Sequence, residues 1–214
     1  MKKINNISVI GMGYVGAPLA LELAKTYNVV GYDIDETKIN NLNNSIDTNS
    51  EIDDSLFQAA RKNIIFSSEE SSLKESDMYI VTVPTPINKK NEPDLKPLVS
   101  ASNLIGKFIR QDDIIVYEST VFPGCTEDIC GEILEKQSNL KINRGFYLGY
   151  SPERINPGDK QNNVRTIKKV VSASSIEALN IIDDVYSSVV DAGTYRASDI
   201  KTAEMSKVIE NTQR

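Results

Sequence analysis

Ile7-Ser8-Val9-Ile10-Gly11-Met12-Gly13-Tyr14-Val15-Gly16 is the stretch that decides the fold. An apolar run of strand length leads into three glycines spaced G-x-G-x-x-G, and Ala17 to Tyr27 continues as a helix pattern. In this strand, turn and helix setting each glycine has a physical task. Gly11 permits the tight turn, Gly13 lets the backbone approach a pyrophosphate, and Gly16 lets helix and strand pack closely. Tyr14 and Val15 complete the turn and belong to the same expected site. The phosphates then face the positive end of the helix dipole. The motif therefore names a ligand class, a dinucleotide.

The next strand supports this reading. Val29-Val30-Gly31-Tyr32 is followed by Asp33, 22 positions after Gly11. A carboxylate about 20 residues on holds the ribose hydroxyls of NAD, and its charge repels the 2′-phosphate of NADP. The competing role for an acid here is a helix cap. Asp35, directly before Glu36, fits that role better.

Composition narrows the classes. The 214 residues carry 40% hydrophobic and 25% charged side chains, as in an ordinary globular chain. A net charge of -6 argues against nucleic acid as a partner. No apolar run approaches the roughly 20 residues of a membrane span. Lys2 and Lys3 resemble the start of a signal peptide, but Gly11, Gly13 and Gly16 interrupt the apolar segment, so a cytoplasmic location is expected. With no histidine in the chain, Ser-His-Asp and Cys-His catalysis are excluded within it. Acid–base work falls to carboxylates, lysines or water. Cys125 and Cys130 form neither a disulfide framework nor a usual zinc spacing, and no metal is expected. Cys125 opens a predicted helix, Cys125–Lys136, which would lower its thiol pKa. A packing role is the stronger reading.

Strand and helix patterns alternate along the chain, which implies an α/β fold: a Rossmann-like, doubly wound, mostly parallel sheet. Residues 1–197 are expected to form this domain and 198–214 the start of a long helix. A strand over Met78–Val83 leads into a Pro-rich loop, Pro84 to Lys96, at the sheet edge where ligands bind.

Six segments occur in a telling order: GMGYVGAPL from Gly11, VPTP from Val83, Pro93-Asp94-Leu95, ESTVFPG from Glu118, SPERINPGDK from Ser151, and AEMSKVIEN from Ala203. On them the chain resembles the UDP-glucose/GDP-mannose dehydrogenases. The resemblance implies oxidation of a nucleotide sugar's C6 alcohol to a carboxylate with two NAD, through a cysteine thiohemiacetal and thioester. It implies that Thr120 orders the catalytic water, that Glu153 is the carboxylate base, and that Lys207 and Asn211 stabilise the alkoxide and position water. On a helix those two residues share a face. Pro84, Thr85, Ser119 and Thr120 join the cofactor site, and Lys38 lies beside the adenosine ribose. Glu153, Arg154, Lys207 and Asn211 face the sugar, with Asn156 helping to shape the pocket. From spacing alone Thr120 is an ordinary strand-end residue, Glu153 and Arg154 a solvated turn, and Lys207 and Glu210 a wet helix face. The ordered motifs outweigh those readings.

The family's nucleophilic cysteine lies in a Gly-rich motif beyond the central helix, and neither Cys125 nor Cys130 occupies it. The expectation is therefore the NAD-binding part of a longer enzyme, without its sugar domain and without turnover alone. Family pairing through the central helix implies a homodimer or larger assembly. PERINPGDK is similar to the branch acting on UDP-N-acetylhexosamines such as UDP-N-acetylglucosamine or UDP-N-acetylgalactosamine, for surface polysaccharide synthesis. UDP-glucose is the alternative substrate. A stand-alone NAD-binding module is a further alternative. A 3-hydroxyacid dehydrogenase is another, against which ESTVFPG and SPERINPGDK argue.

Overall fold

The computed structural model describes residues 2–48, 52–87, 92–155 and 164–213. Among them are strands β1 (Asn6–Ile10), β2 (Asn28–Tyr32), β3 (Ile64–Ser67), β4 (Met78–Val81), β5 (Asp113–Tyr117), β6 (Phe146–Tyr150), β7 (Lys169–Ala173) and β8 (Thr194–Arg196). They form one sheet in the order β3-β2-β1-β4-β5-β6-β7-β8. Pairing is parallel except between β6 and β7.

The central strands are buried on both faces, so their sequences are apolar throughout rather than alternating. Met78 and Ile80 of β4 join Ile114 and Val116 of β5 in one core layer. Tyr79 and Val81 join Ile115 and Tyr117 in the other. Helices α1 (Gly16–Leu23), α2 (Glu36–Asn43), α3 (Asp54–Ala60) and α6 (Ile176–Ser187) cover the first layer. Helices α4 (Lys96–Gly106), α5 (Glu132–Ser138) and α7 (Ile200–Gln213) cover the second. This is the doubly wound fold expected.

Several boundaries differ from those the sequence pattern predicts. Helix α1 stops at Leu23 because Lys25 and Thr26 donate to carbonyls three residues back, tightening the last turn. β4 stops at Val81. Thr82 instead turns its hydroxyl to the carbonyls of Ile10 and Gly11, at 3.1 and 2.7 Å. The helix predicted over Cys125–Lys136 is a π-helical turn, Cys125–Gly131, running into α5. Asp35 is the N-cap of α2 as expected, accepting from the backbone N–H of Thr37 and Lys38.

The buried Glu204 side chain moors helix α7 to the sheet domain. The Glu204 carboxylate accepts from Gly124 N–H at 2.6 Å and Thr126 N–H at 2.9 Å. It supplies the start of the π-helical turn with a cap from 80 residues away. Ile200, Ala203 and Lys207 are buried on the same helix.

Glu204→Ala removes the acceptor and leaves two buried donors unpaired. The expected loss is about 1–3 kcal/mol for each orphaned N–H. Chemical denaturation checks this, and an unchanged midpoint would contradict the mooring role.

Candidate functional site

The glycine turn sits where the sheet's order reverses, between β1 and β4, outside the carboxyl ends of the strands. This is the general ligand crevice of an open α/β sheet. A cleft of about 440 Å³ opens there. Its first wall is the turn itself, with Gly11, Gly13, Tyr14 and Val15. Gly11 has φ +100°, the left-handed region that favours glycine. A Cβ on Gly13 would meet nothing within 4 Å, so Gly13 faces open space. Gly16 lies beneath. A Cβ there would fall 1.9 Å from the Gly11 carbonyl oxygen and 2.4 Å from Thr82 Oγ1. The three glycines thus divide into turn, approach and packing, as their spacing predicts.

Asp33 and Lys38 line the cleft beside the glycine turn. Asp33 Oδ2 accepts from Met12 N–H at 2.8 Å and from Lys38 Nζ at 2.7 Å, and Oδ1 accepts from Asp35 N–H at 3.0 Å. The carboxylate therefore also ties the glycine turn to the end of β2, a second role invisible in the sequence. Lys38 is ion-paired rather than a solvated helix lysine.

The opposite wall comes from the ends of β4 and β5. Pro84, Thr85, Ser119 and Thr120 line it, together with Thr82 and with Val83, Pro86 and Glu118 of the VPTP and ESTVFPG segments. Ser119 Oγ is committed to the Val83 carbonyl at 2.6 Å, and Thr85 Oγ1 to the Thr120 carbonyl at 2.7 Å. Thr120 is exposed.

Glu153 reaches the same cleft from the segment after β6. It is far from a solvated turn. Its Oε2 meets Lys169 Nζ at 2.6 Å, and its Oε1 accepts from the N–H groups of Arg154 and Ile155 at 2.6 and 2.7 Å. Lys169 Nζ also meets Glu118 Oε2 at 2.7 Å, and the Tyr186 hydroxyl donates to Glu118 Oε1. Burial pushes the Glu153 carboxyl up, but Lys169 and the two N–H groups outweigh it and hold the group below its ordinary value. For Glu118 burial prevails, and its carboxyl lies above the ordinary value. Burial pulls the Lys169 ammonium down, yet the two carboxylates leave it above its usual value.

These residues fit a dinucleotide on their own geometry. The space over Gly13 is open to a pyrophosphate, the turn presents α1's amino end to it, and the Asp33 carboxylate lines the same cleft.

Residues 5–190 match the UDP-glucose/GDP-mannose dehydrogenase family, NAD binding domain. The chain belongs to this family. It is 50% identical over 208 residues to UDP-N-acetyl-D-glucosamine 6-dehydrogenase of Salmonella typhi, covering 97% of this chain and 49% of that protein. It is 51% identical to Protein CapL of Staphylococcus aureus, covering 98% and 49%. The solved UDP-D-ManNAc dehydrogenase from Pyrococcus horikoshii superposes with a TM-score of 0.91 at 31% identity, covering 98% of this chain and 50% of that one. The chain spans about half the length of these relatives.

Other expected site residues of the NAD-binding domain lie outside the cleft. The Arg154 guanidinium turns to the protein: its Nη2 donates to the Lys168 carbonyl and its Nε lies 3.9 Å from Glu210 Oε2. Lys207 is buried and Asn211 exposed, and neither lines the cleft with Thr120 and Glu153. The buried Lys207 does not fit the wet helix face that spacing alone suggests for Lys207 and Glu210. Asn156 and the rest of SPERINPGDK through Lys160 fall outside the described residues. Cys125 and Cys130 are fully buried. The Cys130 partner and burial both push the Cys125 thiol well above its ordinary value. The predicted activation by the helix terminus is thus outweighed, and packing is the role that remains.

Two glycine variants separate fold from binding. Gly13→Val is expected to leave the melting temperature unchanged and abolish NAD binding, because the side chain enters only the cleft. Gly16→Ala is expected to destabilise the domain by about 1–3 kcal/mol, the usual range for overpacking. Thermal melts and calorimetry with NAD check both.

Proposed function

We propose that this chain is the NAD-binding half of an enzyme that oxidises the C6 alcohol of a UDP-N-acetylhexosamine to the uronic acid. The observation that carries the reading is the meeting of the glycine turn and Asp33 with Thr120 and Glu153 around one cleft. The relatives' names supply the substrate class, since the chain is half identical to a UDP-N-acetyl-D-glucosamine 6-dehydrogenase. NAD supplies the hydride acceptor, used twice between alcohol and acid.

The chain's own residues divide the remaining work. Backbone amides of the glycine turn bind the pyrophosphate, and Asp33 with Lys38 holds the adenosine ribose. Glu153, kept ionised, receives the proton that leaves as the alcohol is oxidised. The exposed Thr120 hydroxyl orients water. The family resemblance assigns Lys207 and Asn211 to stabilising the oxyanion and placing that water, although neither lines the cleft shared by Thr120 and Glu153. Buried Cys125 and Cys130 do not supply the thiolate of the family route. Residues 1–197 act as the cofactor domain, and residues 198–214 lead into a helix through which the enzyme pairs as a homodimer or larger. Exposed Met205, Val208 and Ile209 on α7 support that pairing. The enzyme works in the cytoplasm toward surface polysaccharide. No helix among the described residues is long and apolar enough to cross a membrane.

NAD should bind more tightly than NADP. Asp33→Asn keeps an acceptor for Met12 N–H while removing the charge, and should narrow that gap by about 1.5–3 kcal/mol. Calorimetry with both cofactors decides it, and equal affinities in the unmutated chain would sink the cofactor assignment.

The substrate assignment is tested by kcat/KM in the full-length enzyme with UDP-N-acetylglucosamine, UDP-N-acetylgalactosamine, UDP-N-acetylmannosamine and UDP-glucose. An acetylated sugar should be preferred, because a site built to bond the amide loses much when it is missing. Preference for UDP-glucose would move the enzyme to that branch. The 214-residue chain by itself should produce no NADH from any of the four.

A further inference from the structure

The Glu118, Lys169 and Tyr186 side chains have no role in the chemistry proposed for the cleft, yet they form the most buried charged cluster beside it. Lys169, Glu118 and Glu153 side chains are 7%, 0% and 12% exposed. Each comes from a different element. Glu118 follows β5 and directly precedes Ser119 and Thr120. Glu153 follows β6, and Lys169 opens β7. The Tyr186 ring of α6 lies 5.6 Å beneath the ammonium.

We propose that Lys169 is a positioning residue of the dehydrogenase reaction, its ammonium clamping Glu153 to the end of β5 and so fixing the wall of the cleft that faces the sugar's C6. The inference rests on the proposed function. A single buried carboxylate, Glu118, would suffice to neutralise Lys169. The second partner is a carboxylate that lines the cleft, held at Oε2 by the ammonium and at Oε1 by two backbone N–H groups. Glu153 is thereby oriented from both oxygens at the edge of the cleft.

The titratable groups near Lys169 come from several elements, and on the neighbouring β8 Arg196 is engaged by Asn180 and Asp183 of α6. Glu118 faces it from β5, Glu153 from the segment after β6, and Tyr186 from α6. On α7, Glu204 is engaged by Gly124 and Thr126, Glu210 lies beside Arg154, and Lys207 is buried. The cation opposes the effect of burial on Glu153, so the carboxylate stays ionised to lower pH. Removing Lys169 takes away that opposition while the two backbone N–H groups remain, so Glu153 protonates at higher pH than with the cation in place. Activity that needs ionised Glu153 would then be lost at higher pH as the solution is acidified.

The test uses the full-length enzyme with UDP-N-acetylglucosamine, in Lys169→Met, Lys169→Met/Glu118→Gln and Lys169→Arg. The double variant carries no uncompensated Glu118 charge, so it remains informative where Lys169→Met alone fails to fold. The expected result for the double variant is a kcat lower by about 10- to 100-fold, as for a displaced reacting group. The acid limb of its pH profile should be shifted upward, and in Lys169→Met, where the cleft-lining Glu118 is intact, KM for NAD should be unchanged. Lys169→Arg should recover part of kcat and return the limb toward its original position. A folded double variant with unchanged kcat and acid limb overturns the proposal. A titration of Glu153 by ¹³C NMR in this chain reads the clamp without turnover, and an identical titration with and without Lys169 also overturns it. A wild-type enzyme that oxidises no UDP-sugar overturns the functional reading instead, while the NMR comparison still reports whether Lys169 holds Glu153.

Discussion

The contact between Gly16 and the Gly11 carbonyl governs the cofactor end of the molecule. No side chain fits between them, since a Cβ would approach that oxygen to 1.9 Å. Thr82 seals the same junction from β4, donating its hydroxyl to Ile10 and Gly11. Strand β1, helix α1 and the end of β4 are thereby held at one distance. That distance brings α1's amino end to the cleft. The consequence is electrostatic. The chain carries a net charge of -6, and Lys38 is the one basic residue among the described residues lining the cleft. Lys38 is already paired with Asp33. Affinity for a pyrophosphate therefore rests on amides and the helix dipole, which bind an anion without a free cation.

The second wall depends on one change of strand direction. Parallel strands deliver only their carboxyl ends to the ligand edge. β7 runs antiparallel to β6, with Tyr150 opposite Ser172. Its first residue, Lys169, is therefore returned to the edge where β5 and β6 end. A lysine buried between two carboxylates is costly to desolvate, and such clusters are weak evidence for added stability. Position is the better account of this one, because Glu153 spans the cluster and the cleft.

The features legible in the sequence are local. The glycine spacing, the acid 22 residues on and the N-cap Asp35 each need only a turn or a strand to be recognised. The hidden ones are long-range. Glu204 is separated from Gly124 by 80 positions, and Lys169 from Glu118 by 51. No periodicity announces such pairs. Asp33 is recognisable through its ligand, while its bond to Met12 N–H becomes visible only once β1 and β2 are placed side by side. For Cys125 the sequence shows only the field of a helix terminus. Its burial, and a thiol partner one π-helical turn on, are the larger influences.

The same long-range contacts give a physical reason for the motifs to occur together. ESTVFPG ends at Gly124, whose N–H is held by Glu204 of AEMSKVIEN. SPERINPGDK contains Arg154, which lies beside Glu210 of the same helix. Glu118 of the first segment and Glu153 of the second share Lys169. Three segments far apart in the chain are thus joined by buried or half-buried carboxylates, each held by N–H groups or a cation. A change in any one of them alters the anchoring of the other two. The wall that carries Glu118 and Glu153 is therefore a single assembly of loop, loop and helix, distinct from the glycine turn across the cleft from it.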